Sequence, residues 1–105
     1  MVYAVYTTKS FDKETAKLQQ SDKDIIQKMF LKIKENPYIS DQLRFRNLRE
    51  KRLGEKRVYF LVYDDLQAVL VVAISGKKDQ NATINHIVDC FDEYRLYLEK
   101  LLINT

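Results

Sequence analysis

The sequence predicts an α+β fold, in which a small, mostly antiparallel sheet is packed by an N-terminal helical hairpin and a long C-terminal helix. Three patterns carry that expectation. Two apolar, β-branched-rich runs, 57–63 and 68–75, flank the short polar break Asp64-Asp65-Leu66-Gln67, as paired strands do. Ile25, Ile26, Met29, Phe30 and Ile33 recur at helical spacing, and so do Ile84, Ile87, Val88, Phe91, Tyr94, Leu98, Leu101 and Leu102.

In chain order, residues 2–7 read as a first strand, rich in Val and Tyr and too short for a stable helix. Ser10 is the expected N-cap of a short helix whose one face holds Phe11, Thr15 and Leu18. Ser21 with Asp24 resembles a capping box opening a second helix, with Asp in place of the usual Glu. Asn36-Pro37 ends that helix, because proline disfavours helical geometry in the residue before it. The two helices form a hairpin joined near Gln19-Gln20. Residues 38–47 read as a surface loop with some extended character. Residues 48–52 read as a strand that turns around Leu53-Gly54-Glu55 into the central pair. Past Lys77-Lys78, Asp79 or Asn81 is placed to cap one helix of about 20 residues beginning near Ala82.

Size and composition narrow the class. The chain has 105 residues, 46% hydrophobic and 31% charged, with only two glycines and one proline. Residues 1–105 are therefore expected to form one ordered domain. No apolar run reaches the roughly 18 residues that span a bilayer, so no membrane partner is expected. The N-terminus carries no basic leader, and the single cysteine, Cys90, has no internal disulfide partner; cytoplasmic residence is the expectation.

The net charge of +3 is unevenly spread. Residues 44–57 hold Arg44, Arg46, Arg49, Lys51, Arg52, Lys56 and Arg57 against Glu50 and Glu55, a local +5 that leaves the rest of the chain slightly acidic. Such asymmetry predicts a basic surface and a polyanionic partner; the plainer reading is a solvated hairpin. The run leads into the strand pair that delivers Gly76-Lys77-Lys78-Asp79-Gln80 to the mouth of the last helix. Paired cations beside a helix N-terminus are suited to holding phosphate.

The order of elements, the Asn36-Pro37 stop, Leu48-Arg49 leading into 57–63, and Lys77-Lys78-Asp79-Gln80 with Ile84 and Ile87 behind it resemble the RelE/ParE toxin superfamily. The Lys-Lys-x-Gln element after a strand is most similar to the phage Gp49-like, HigB-type branch. The resemblance implies a cytoplasmic toxin that cleaves messenger RNA at the ribosomal decoding site, and a cognate antitoxin that neutralises its basic surface. Many members carry an arginine or histidine and a tyrosine just past the last strand, where this chain has Lys77, Lys78 and Asp79.

Cleavage of RNA through its own 2′-hydroxyl needs a base, cations to stabilise the phosphate, and an acid for the leaving oxygen. Arg57, Lys77 and Lys78 are the candidate catalytic cations. His86, near the lysine pair in the first turns of the last helix, is one candidate for proton transfer, against the plainer role of a surface histidine; Tyr59, Tyr63, Asp79 and the lysines themselves are the alternatives. Arg44, Arg46, Arg49, Lys51, Arg52 and Lys56 are candidate RNA-binding residues. Tyr59 and Tyr63 share a strand face with Arg57; Tyr59 is a candidate for stacking on a base, against the simpler role of filling the core. No metal or other cofactor is expected, since one histidine and one cysteine make no ligand set. Two functions remain open from sequence: a metal-independent endoribonuclease, and a non-catalytic RelE/ParE-like relative that binds RNA or another target without cleaving RNA.

Overall fold

A computed structural model describes residues 2–104. The chain forms β1 (Ala4–Thr7), α1 (Lys9–Ala16), α2 (Gln20–Glu35), β2 (Asp41–Gln42), β3 (Leu48–Leu53), β4 (Lys56–Tyr63), β5 (Ala68–Gly76), α3 (Gln80–Asp89) and α4 (Phe91–Ile103). Short 3-10 turns occupy Pro37–Ile39, Asp64–Leu66 and Lys77–Asp79. The strands lie in the order β1-β5-β4-β3-β2; β1 runs parallel to β5 and every other pair is antiparallel. This is the α+β arrangement that the hydrophobic patterns predict.

Alternation along the strands sends apolar side chains to both faces, so the sheet is the middle layer of three. On one side Val58, Phe60, Val62, Val69 and Val71 meet Phe11 of α1 and Ile26, Met29 and Ile33 of α2. On the other, Leu48, Tyr59, Leu61, Leu70 and Val72 meet Ile84 and Ile87 of α3 and Leu98 of α4. A bulge lets the alternation slip once. Tyr59 is opposite Ala73 and Phe60 opposite Val71, which leaves Val72 as the extra residue, and both Val72 and Ala73 then pack toward α3 and α4. Gly54, at φ +60, makes the tight turn between β3 and β4.

The helix boundaries correct several expectations. Thr8, not Ser10, caps α1: its extended backbone lets its hydroxyl accept from the Phe11 N–H at 3.1 Å. The Ser21–Asp24 capping box does not form, because α2 already begins at Gln20 and Ser21 lies inside its first turn. Asn36 is extended, as a residue before proline should be, and its side chain accepts from the Tyr38 N–H at 3.1 Å. The expected single C-terminal helix is two. At Cys90 the backbone N–H contacts the carbonyls of both His86 and Ile87 at 3.1 Å, and the chain then restarts as α4. The apolar spacing runs unbroken through this joint, so periodicity gave no sign of it.

Candidate nucleic-acid interface

The β3–β4 turn, the end of β5 and the 3-10 turn after it meet at one end of the sheet. In register, Arg52 is opposite Arg57, and Lys56 is opposite both Leu53 and Gly76. Lys77 and Lys78 follow directly in the 3-10 turn. Together Arg52, Lys56, Arg57, Lys77 and Lys78 line a cleft of about 610 Å³ in which Glu55 is the one acidic wall residue. Arg52, Lys56, Lys77 and Lys78 are exposed, and none of them has an ion-pair partner among the described residues. Unpaired cations crowded in a concavity make a site of positive potential that lacks its counter-charge.

Arg57 differs from its neighbours. It is buried, and its Nε donates to Glu50 Oε1 at 2.7 Å. The Gln80 side-chain amide, from the first residue of α3, donates to both Glu50 oxygens at 3.3 and 3.1 Å. This buried network ties β3, β4 and α3 together beneath the cleft and satisfies a carboxylate that would otherwise be costly to bury. It also lets Arg52 and Arg57 sit side by side on neighbouring strands, where two like charges repel unless compensated. Sequence reasoning missed Glu50. The available signal was a carboxylate alternating with Leu48 on an inward strand face, beside two arginines two and seven residues away.

The helix behind the cleft starts at Gln80 rather than near Ala82, since the 3-10 turn leads straight into it. Asp79 stands at its N-cap but makes no side-chain capping bond. The lysine pair therefore lies one residue before a helix of 10 residues, whose dipole adds positive character there.

Other candidates lie elsewhere. Arg49 is buried and donates to the carbonyls of Arg46, Tyr38 and Ser40 at 3.2, 3.0 and 2.6 Å and to the Ser40 hydroxyl at 3.3 Å. Its fork is spent on the loop before β3, so it offers nothing to a phosphate. Arg46 stands at the opposite end of the sheet, paired with Asp64 at 3.2 Å and set over the Tyr38 ring at 4.5 Å. Arg44 is exposed on the same loop and lines no part of the cleft. Lys51 points to the α2 side of the sheet. Tyr59 is wholly buried, with its hydroxyl 3.0 Å from the Ser75 hydroxyl, and burial raises its pKa; no ring face is free to stack on a base. His86 is not beside the lysine pair but lines an adjoining groove between α1 and α3 that shares only Lys56 and Gly76 with the cleft. Among the described residues no three His, Cys, Asp or Glu side chains converge.

No family model matches the chain, and no curated protein matches it significantly. Solved structures do. A free-state mutant of the E. coli toxin RelE superposes with a TM-score of 0.72 at 19% identity, over 85% of this chain and 97% of that one. A RelE–RelB complex from Pyrococcus horikoshii OT3 gives 0.66 at 18% identity, over 73% and 97%. The toxin–antitoxin complex RelBE2 from Mycobacterium tuberculosis gives 0.64 at 16%, over 73% and 100%. The fold is that of the RelE toxins, as the sequence resemblance implied. Nothing among these neighbours singles out the Gp49-like, HigB-type branch.

Proposed function

We propose that the protein is the toxin of a toxin–antitoxin pair, a cytoplasmic, metal-independent endoribonuclease that cleaves messenger RNA on the ribosome. The supporting observation is the cleft: four exposed cations with no ion-pair partner among the described residues, and a buried arginine, around one concavity of a RelE-type fold. In this reading the scissile phosphate sits among Arg52, Lys56, Lys77 and Lys78. The 2′-hydroxyl gives its proton to water as its oxygen attacks phosphorus, the bond to the 5′-oxygen breaks, and that oxygen takes a proton from water, leaving a 2′,3′-cyclic phosphate and a 5′-hydroxyl. The cations stabilise the charge that grows on the non-bridging oxygens. Arg57, held by Glu50, fixes the floor of the cleft, and Glu50 is the carboxylate in direct contact with a cleft cation. A cognate antitoxin would neutralise the same cations.

A second reading is favoured by one observation. His86 and Tyr59, candidates for proton transfer and stacking, do not line the cleft. A RelE-like protein that grips RNA or another target without cutting RNA needs only the cations. Induced expression separates the two. The nuclease reading expects growth arrest with messenger RNAs truncated inside their reading frames, whereas arrest with intact messages favours the binding reading. Lys77→Ala with Lys78→Ala should abolish truncation while the melting temperature stays within a few degrees. If the double variant unfolds instead, the lysines are structural and the assignment fails.

A further inference from the structure

The cleft is not the only basic concavity. On the other side of the sheet, Lys28 and Lys32 of α2 and Lys51 and Arg52 of β3 line a shallow groove of about 260 Å³, together with Ile25 and Met29. No acidic residue lines it, and none of its four cations has an ion-pair partner among the described residues. Lys28 and Lys32 lie one turn apart on the same helix face. The two grooves share Arg52.

Only an edge strand separates them. β2 is two residues long and pairs with Arg49 and Glu50 alone, so β3 carries no strand on its outer side from Lys51 to its end at Leu53. Neighbouring residues of a strand point to opposite faces, which sends Arg52 toward the cleft and Lys51 toward α2. Cations therefore line both grooves, Lys77 and Lys78 in the cleft, Arg52 in both, and Lys51, Lys32 and Lys28 beyond the sheet edge, with Glu55 of the cleft the one acidic residue lining either groove. Lysines on an open edge also discourage strand pairing between molecules. That role accounts for Lys51 but not for two further lysines on a helix.

We infer that this band is a track for the phosphate backbone of one single-stranded RNA, which continues from the cleft over the β3 edge and onto α2. The inference rests on the nucleic-acid reading of the cleft. A flexible single strand can bend over a narrow edge, and a shallow groove lined by lysine point charges suits a chain of phosphates without selecting its bases.

The test is equilibrium binding of 2′-O-methyl RNA, which the protein cannot cleave, measured across a potassium chloride series. A trinucleotide fills the cleft alone, while an oligomer of about 12 nucleotides reaches α2 as well. Lys28→Ala with Lys32→Ala should weaken the longer oligomer roughly tenfold and leave the trinucleotide unchanged. It should also reduce the log–log salt slope for the longer oligomer by about 1.4, as loss of two single-strand phosphate contacts requires. Lys77→Ala with Lys78→Ala should weaken both lengths. If the α2 variant binds the longer oligomer with wild-type affinity and slope while the cleft variant is impaired, the track is wrong and the cleft reading stands. If neither variant changes binding, the cleft reading falls as well. Retained RNA binding by the α2 variant with lost binding to poly-L-glutamate would overturn the track in favour of an acidic protein partner. Lys28→Gln with Lys32→Gln, at unchanged melting temperature, guards against a helix-propensity effect.

Discussion

The two ends of the sheet draw on the same basic run and use it in opposite ways. At the Asp64 end, Arg46 is paired with Asp64, and Asp64 also accepts from the hydroxyls of Tyr3 and Tyr38 at 2.8 Å each. Arg49 spends its guanidinium on three carbonyls and a hydroxyl nearby. At the Gly76 end, Arg52, Lys56, Lys77 and Lys78 line one open cleft with no ion-pair partner among the described residues. Cations bonded on all sides hold a loop in place. Cations left unpaired in a cleft repel one another, and that cost is relieved when an anion arrives. Counting arginines and lysines along the chain cannot separate the two uses, whereas counting their partners does.

Substitutions sharpen the contrast when ranked by their effect on the melting temperature. The largest loss is expected for Glu50→Ala, which strands Arg57 as a buried, uncompensated charge. Breaking such a pair costs about 3 kcal/mol or more, a fall of more than about 10 °C for a domain of this size. Glu50→Gln keeps the shape and should cost less, and calorimetry that finds both variants as stable as wild type would show that the network holds nothing. Arg49→Ala comes next at about 2 kcal/mol, with three carbonyls losing a donor. Arg49→Lys should recover little of it in thermal melts, because an ammonium cannot span the positions that the fork reaches.

Asp64→Asn is smaller and depends on pH. Hydrogen bonds from Tyr3 and Tyr38 hold the Asp64 carboxyl below the usual carboxylate range. The stabilisation is therefore fully present above the unfolded-state pKa and lost as the pH falls through the depressed folded-state value. Melting curves of wild type and variant should differ by a few degrees at neutral pH and converge in acid; a gap that persists in acid would mean that shape, not charge, is at stake. Tyr38 reports the same cluster from the other side, since burial, then its bond to Asp64, pushes its phenol up to about 12. The smallest effect is expected for Arg52→Ala with Lys56→Ala. Removing repulsion between neighbouring strands should leave the melting temperature unchanged or raise it by a degree or two. A clear fall would place these two among the structural cations and break the contrast between the ends.

Much of the architecture was legible in the residues. The paired apolar runs, the Asn36-Pro37 stop and the stripe from Ile25 to Ile33 all became the elements they predicted, because period and proline geometry act locally. The site was legible only in part. Arg52, Lys56, Arg57, Lys77 and Lys78 do come together: the β3–β4 turn brings Arg52 beside Arg57, and the β4–β5 pairing sets Lys56 beside Gly76 and the lysine pair. Arg49 reads as a candidate ligand of RNA and Tyr59 as a candidate against its simpler role in the core; both are buried, Arg49 by its bonds to Tyr38, Ser40 and Arg46 and Tyr59 by packing against α3 and α4. Glu50 escaped notice because its partners, Arg57 and Gln80, are seven and 30 residues away in the chain.

Taken alone, the sequence determined which segments are strands and helices, which of their faces are apolar, and that a local excess of positive charge precedes the central strands. These are short-range properties, set by backbone geometry and by the spacing of side chains within a few turns. Tertiary structure alone decided which cations are compensated, that His86 lines a groove adjoining the cleft rather than the cleft itself, and that a second basic groove shares Arg52 with the cleft on the α2 side of the β3 edge. Those outcomes depend on distances of a few ångströms between residues far apart in the chain, and electrostatic pairing at that range does not exist until the chain has folded.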